Sequence, residues 1–115
     1  MYVGQDWDDL EPTEDDVFSL EFTQDLQPGQ SINTPVWSCA LVQTFTGFTP
    51  DPSPNSRITG AANVTTEANP ATGATRSFTN QAISGAVQGN RYLLSATVQT
   101  SDGRTLTRHS FFNCR

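Results

Sequence analysis

Residues 89–114 read G-N-R-Y-L-L-S-A-T-V-Q-T-S-D-G-R-T-L-T-R-H-S-F-F-N-C. Tyr92, Leu94, Ala96 and Val98 alternate with Leu93, Ser95, Thr97 and Gln99, the period-2 pattern of a strand with one buried face. Ser101-Asp102-Gly103-Arg104 then supplies a tight reversal, because Gly103 tolerates the positive φ such turns need. A second alternating run follows from Thr105 to Cys114. Two β-rich runs across an Asp-Gly turn predict a hairpin. A hairpin this long needs a further layer over its apolar face.

Working outward, the rest of the 115-residue chain offers more strands and no convincing helix. Phe18, Leu20 and Phe22 alternate with Val17, Ser19, Glu21 and Thr23, which predicts a first strand over 17–23. Gln27-Pro28-Gly29-Gln30 is a turn. A second strand is expected over 31–44, interrupted at Pro35, with Trp37, Cys39 and Leu41 on one face and Val36, Ser38, Ala40 and Val42 on the other. The stretch 48–56 carries three alternate prolines and reads as an extended, exposed loop. Further strands are expected over 57–66 and 74–83, separated by a loop at 67–73, and 86–89 turns into the hairpin. Hydrophobic residues make up only 35% of the chain, so a single modest core is the limit. The expected architecture is all-β: an antiparallel, immunoglobulin-like sandwich of about seven strands. It occupies residues 16–115 and follows an extended acidic N-terminal arm, residues 1–15.

Charge divides the chain sharply. Nine of the twelve carboxylates precede residue 26, with no basic residue among them, and the remaining three face six arginines; there is no lysine. The leader is thus near −9 and the body near +3, for a net −6. An overall negative charge speaks against nucleic-acid binding, and no apolar stretch is long enough to span a bilayer. The opening M-Y-V-G-Q-D-W-D-D-L lacks the features of a secretory signal, so cytosolic synthesis is expected. A disordered solubility tail rarely carries a tryptophan. Trp7 and Leu10 flanked by Asp8, Asp9, Asp15 and Asp16 therefore form a candidate partner-binding segment. The alternative is a solvated leader that aids solubility.

Catalytic and metal chemistry finds little footing. His109 is the sole histidine, and no spaced N/S ligand set, nucleophile elbow or phosphate-cradling glycine loop accompanies it. No cofactor, metal or catalytic residue is expected, and the chain reads as non-enzymatic. Cys39 and Cys114 read first as two free, half-buried thiols; a possible disulfide between them, or a bond between copies or to another protein, is the alternative. Of the Phe111-Phe112 pair, one ring is expected in the core and the other outside, against the arm or a partner. Tyr92, three residues after Gly89, is expected to be a plain core anchor.

Two segments carry a resemblance. Phe22, Leu26, Gly29, Ile32 and Trp37 fit an F-x-x-x-L-x-x-G-x-x-I-x-x-x-x-W pattern. Gly89, Tyr92, Leu94 and Thr100-Ser101-Asp102-Gly103-Arg104 fit a G-x-x-Y-x-V-x-x-x-v-x-T-s-d-G-R ending. Together they resemble small immunoglobulin-like structural proteins of tailed bacteriophages. The match covers the two ends of the body; residues 44–83 are not diagnostic, and the acidic arm and both cysteines lie outside it. The resemblance implies a virion component assembled in the bacterial host cytoplasm. A capsid decoration or cement protein is the first expectation, and a neck, collar or tail accessory protein the alternative. Its implied partners are other virion proteins, such as the major capsid or neck and tail proteins, and further copies of itself in a symmetric assembly, with no nucleic acid or membrane. A host-surface glycan-binding module, using the loops 49–56 and 68–73, is the competing expectation.

Overall fold

The computed structural model describes residues 16–27, 29–68, 71–73 and 75–115. Among them are six strands: β1 (Asp16–Glu21), β2 (Ile32–Thr44), β3 (Ile58–Ala68), β4 (Thr75–Ile83), β5 (Asn90–Thr100) and β6 (Thr105–Cys114). They form two three-stranded antiparallel sheets, ordered β1-β4-β3 and β2-β5-β6. The expected count of about seven becomes six among the described residues. Apart from the strands, only single 3-10 turns at Thr23–Asp25 and Pro54–Arg57 interrupt the loops.

The two sheets share one core because their inward alternations meet. Phe18, Leu20 and Ile83 from the first sheet join Trp37, Cys39, Tyr92, Leu94, Ala96, Val98, Phe112 and Cys114 from the second. Phe18 lies 5.1 Å from Phe112, ring centre to ring centre, and Phe112 stacks on Tyr92 at 4.9 Å. β1 therefore lies over β6. The hairpin of β5 and β6 keeps one register throughout, from Asn90↔Cys114 to Gln99↔Thr105. Its turn closes through Gly103 N–H to Thr100 O (3.0 Å), with Gly103 at φ +89°.

A chain so lean in apolar residues fills part of its interior with polar ones, and each must find partners. β4 turns Ser77, Thr79 and Gln81 inward. Trp37 Nε1–H donates to Thr79 Oγ1 (3.0 Å), and that hydroxyl donates to Asn63 O (3.0 Å). The result is a hydrogen-bonded path from β2 through β4 to β3. The Gln81 amide donates to Thr59 O and Gly60 O, covering the irregularity between Thr59 and Asn63 in β3. In β2 the expected interruption is a register shift between Asn33 and Val36. Thr34 there takes φ +51°. Pro35, which has no N–H to donate, fits because β2 is an edge strand.

Candidate functional site

At one end of the two sheets β4 leaves, β5 begins and β1 starts. The connection from β2 to β3 folds over this end rather than projecting from it. Asp51, in the proline-rich stretch expected to be exposed, is instead only 4% exposed. The physical reason is its carboxylate, which is fully partnered. Tyr92 O–H donates to Oδ2 (2.8 Å), Ser53 N–H donates to Oδ1 (2.9 Å), and Arg57 Nε stands 3.2 Å from Oδ2. That last contact is an ion pair whose N–H is not aimed for a hydrogen bond. The Arg57 guanidinium also donates to Gly85 O. Asp51-Pro52-Ser53 is a turn in which an Asp side chain caps the N–H two residues on, a signal present in the sequence.

Tyr92 is more than a core anchor. Its hydroxyl also accepts from Val87 N–H (2.9 Å), five residues upstream. Burial, with the Asp51 carboxylate against it, pushes the phenol well above its usual range; the Val87 N–H opposes this more weakly. Asn90 completes the corner by donating to Thr49 O and Val87 O and accepting from the Thr44 hydroxyl. This corner is a clamp: Asp51, Tyr92 and Asn90 are buried and hydrogen-bonded within the chain, while Arg57 Nε makes no hydrogen bond.

The cysteines do not meet. Cys39 faces inward from β2 opposite Leu94, Leu94 faces Ser110 on β6, and Cys114 lies four residues beyond Ser110. With β5 between them, their Cα atoms lie outside the roughly 7 Å that a disulfide allows, and the structure holds two thiols. The possible Cys39–Cys114 bond is thus corrected to two separate buried groups. Burial first, and the Asp51 charge second, push the Cys39 thiol up to about 12, which removes it from nucleophilic chemistry at neutral pH.

Five of the sequence-derived partner-binding residues, Trp7, Asp8, Asp9, Leu10 and Asp15, lie outside the described residues. Asp16 opens β1, exposed, with Oδ1 accepting the N–H of Val17 (2.8 Å). The arginines of the body are not a loose basic surface. At the far end Arg76 forks onto Glu21 (3.0 and 3.2 Å), Arg104 pairs with Asp102 (3.0 Å), and buried Arg108 pairs with Asp25 over the ring of Phe22. At the near end Arg91 lies over Phe111 (4.6 Å) and Arg115 over Phe45 (5.3 Å). Phe111, the outward ring of the Phe111-Phe112 pair, is thus half-covered by its neighbour.

The feature that reading the sequence undervalued is the outer face of the β2-β5-β6 sheet. Across its rows lie Val36, Thr97 and Thr107; Ser38, Ser95 and His109; then Ala40, Leu93 and Phe111. Val36 is 62% and Val42 48% exposed. The side chains in these rows include no carboxylate, in a chain with twelve. The alternation in β2 had already placed Val36, Ala40 and Val42 together; only the pairing with Leu93 and Phe111 required the structure. The opposite outer face carries Val17, 58% exposed, and Phe78 beside a hydrogen-bonded row of Ser19, Asn80, Asn63 and Thr65. Among the described residues no group of three or more His, Cys, Asp and Glu stands together as metal ligands would. Beside the loop 49–56, Phe45 lies under Arg115, and Phe48 packs against Gly89 while remaining 45% exposed.

No family model matches the chain, and comparison with curated proteins and with solved structures finds no match.

Proposed function

We propose that the chain is a non-enzymatic structural subunit of a tailed-phage virion, built on an immunoglobulin-like sandwich and attached through its N-terminal arm. The observation that carries the fold is strand order. β1-β4-β3 and β2-β5-β6 correspond to strands B-E-D and C-F-G of an immunoglobulin domain, with Trp37 on the C-like strand. Tyr92, near the start of the F-like strand and bonded back to Val87 N–H, has the geometry of a tyrosine corner. The resemblance stated on Gly89, Tyr92 and Thr100–Arg104 therefore falls on residues with structural roles.

The mechanism is attachment. The sandwich is a rigid unit with a hydrogen-bonded interior, and the leader supplies apolar anchors in an acidic setting. Burying Trp7 and Leu10 contributes several kcal/mol at about 25 cal/mol per Å² of apolar area. The carboxylates around them select a basic partner and set orientation more than affinity. Repetition in a symmetric array multiplies weak contacts. Capsid decoration is the favoured location and a neck or collar ring the alternative, separable by copy number per particle.

The test is incorporation. Residues 1–15 are deleted, or Trp7 and Leu10 are both replaced by serine, and purified virions are assayed by quantitative mass spectrometry. The expected result is a folded chain missing from the particle. Normal incorporation of both variants would overturn attachment through the arm.

A further inference from the structure

We infer that, before assembly, the outer face of the β2-β5-β6 sheet is the seat of this chain's own N-terminal segment. The inference rests on the arm reading above but concerns the isolated chain.

Geometry sets the reach. β1 lies over β6, with Phe18 against Phe112, so Asp16, two residues before Phe18, stands level with the end of β6. Packed sheets lie about 10 Å apart. The path from Asp16 around the β6 edge to the outer face is therefore on the order of 20 Å. Six extended residues, Leu10 to Asp15, span about 20 Å. Trp7 and Leu10 then arrive at the row of Ala40, Leu93 and Phe111.

Chemistry matches at the same place. The side chains in the paired rows of the face include one full charge, the guanidinium of Arg91, which lies over Phe111 and donates to Asn113 Oδ1 (3.0 Å). Arg115 follows β6 at the same end. The segment 1–15 brings six carboxylates with its apolar residues. A carboxylate-free face whose apolar row of Ala40, Leu93 and Phe111 adjoins arginine fits a peptide of acidic residues around tryptophan and leucine.

Size separates a peptide from a second copy. Three strands about 4.8 Å apart and eight residues long present about 400 Å². Two such faces together would bury about 800 Å², below the roughly 1,200 Å² at which stable protein interfaces begin. A tethered segment needs no such area, because its effective concentration is in the millimolar range. The arm would thus shield this face in the single subunit and leave it when it grips the particle.

The experiment uses the full chain with fluorotryptophan at both tryptophans, read by fluorine NMR. Trp7 is assigned through Trp7→Phe. The expected result is a Trp7 resonance shifted from its solvent value, independent of protein concentration, and returned to the solvent value by Leu93→Glu. In parallel, a photo-crosslinking phenylalanine analogue at position 7 leaves the face unaltered, and its adducts are expected on peptides holding Leu93 or Phe111 within a single chain. A Trp7 resonance at its solvent value in the unsubstituted face, or adducts elsewhere, would overturn the seat. Adducts joining two copies would overturn occupancy by the chain's own arm. Particle incorporation tests the attachment reading separately: an arm that never touches its own sheet still leaves a particle-binding arm intact.

Discussion

Replacing Tyr92 by phenylalanine removes one oxygen and leaves the ring where it stacks on Phe112. The oxygen serves two partners. It donates to the Asp51 carboxylate at 2.8 Å and accepts from Val87 N–H at 2.9 Å. A hydrogen bond to a charged group contributes about 1.5–3 kcal/mol net, and one between neutral groups about 1 kcal/mol. Asp51 retains the Ser53 N–H and the Arg57 ion pair, so the carboxylate is weakened and not abandoned. The expected loss is about 3 kcal/mol. A domain of this size has about 5–15 kcal/mol in total, so the change is large: about 10–20 °C in Tm. The assay is urea unfolding of both forms, with the midpoint lowered and the slope unchanged. Asp51→Asn, alone and combined with Tyr92→Phe, completes a cycle whose coupling energy should reach about 1 kcal/mol. A loss below about 1 kcal/mol for Tyr92→Phe, or additivity in the cycle, would refute the clamp as a source of stability.

Gly89 sits at φ +84°, and a Cβ there would come within 2.0 Å of the Phe48 ring. Gly89→Ala is expected to cost at least 1–3 kcal/mol (approximate range for overpacking) in thermal unfolding, with partial recovery in Gly89→Ala/Phe48→Ala. The Arg76 guanidinium holds the Glu21 carboxyl below the usual range, and the Thr100 hydroxyl does the same for Asp102. Lowered carboxylates add stability above the ordinary carboxylate pKa and lose it as pH falls through their depressed values. Glu21→Gln should therefore flatten the acid limb of the stability–pH curve while leaving its neutral-to-alkaline shape unchanged, as measured by denaturation at stepped pH. With the Cys39 thiol raised to about 12, alkylation by iodoacetamide at mildly alkaline pH should proceed at Cys39 only after denaturant is added. Prompt modification of Cys39 in the native chain would contradict the packing described.

The hairpin was legible because its inward residues are apolar and its turn chemistry local: Tyr92 to Val98, then Asp102-Gly103. The β1 alternation and the Pro35 interruption of β2 were legible for the same reason. β4 was harder to read, because the side chains it buries are Ser77, Thr79 and Gln81. Their burial depends on partners far along the chain, such as Trp37 and the carbonyls of Thr59 and Gly60. Asp51 was misjudged because three alternate prolines suggested exposure, and nothing local indicates that Tyr92, forty-one residues away, will reach its carboxylate. The two cysteines could be separated only by strand order. The body's apparent basicity misled in a similar way, since a count of arginines does not say which of them already face an acid.

Sorting those arginines by position explains how one chain can carry both an acidic leader and a neutral sheet face. Arg76, Arg104 and Arg108 gather at the end away from β1's start, facing Glu21, Asp102 and Asp25 in turn. Their field is cancelled at short range, and little attraction extends toward the leader. Arg57 spends its charge on buried Asp51. Arg91 and Arg115 lie over the rings of Phe111 and Phe45. Both stand at the end where β1 begins. Charge reversal tests this asymmetry: Arg91→Glu should weaken any arm–body contact sharply, whereas Arg104→Glu should perturb the 101–104 turn and leave the Trp7 environment unmoved.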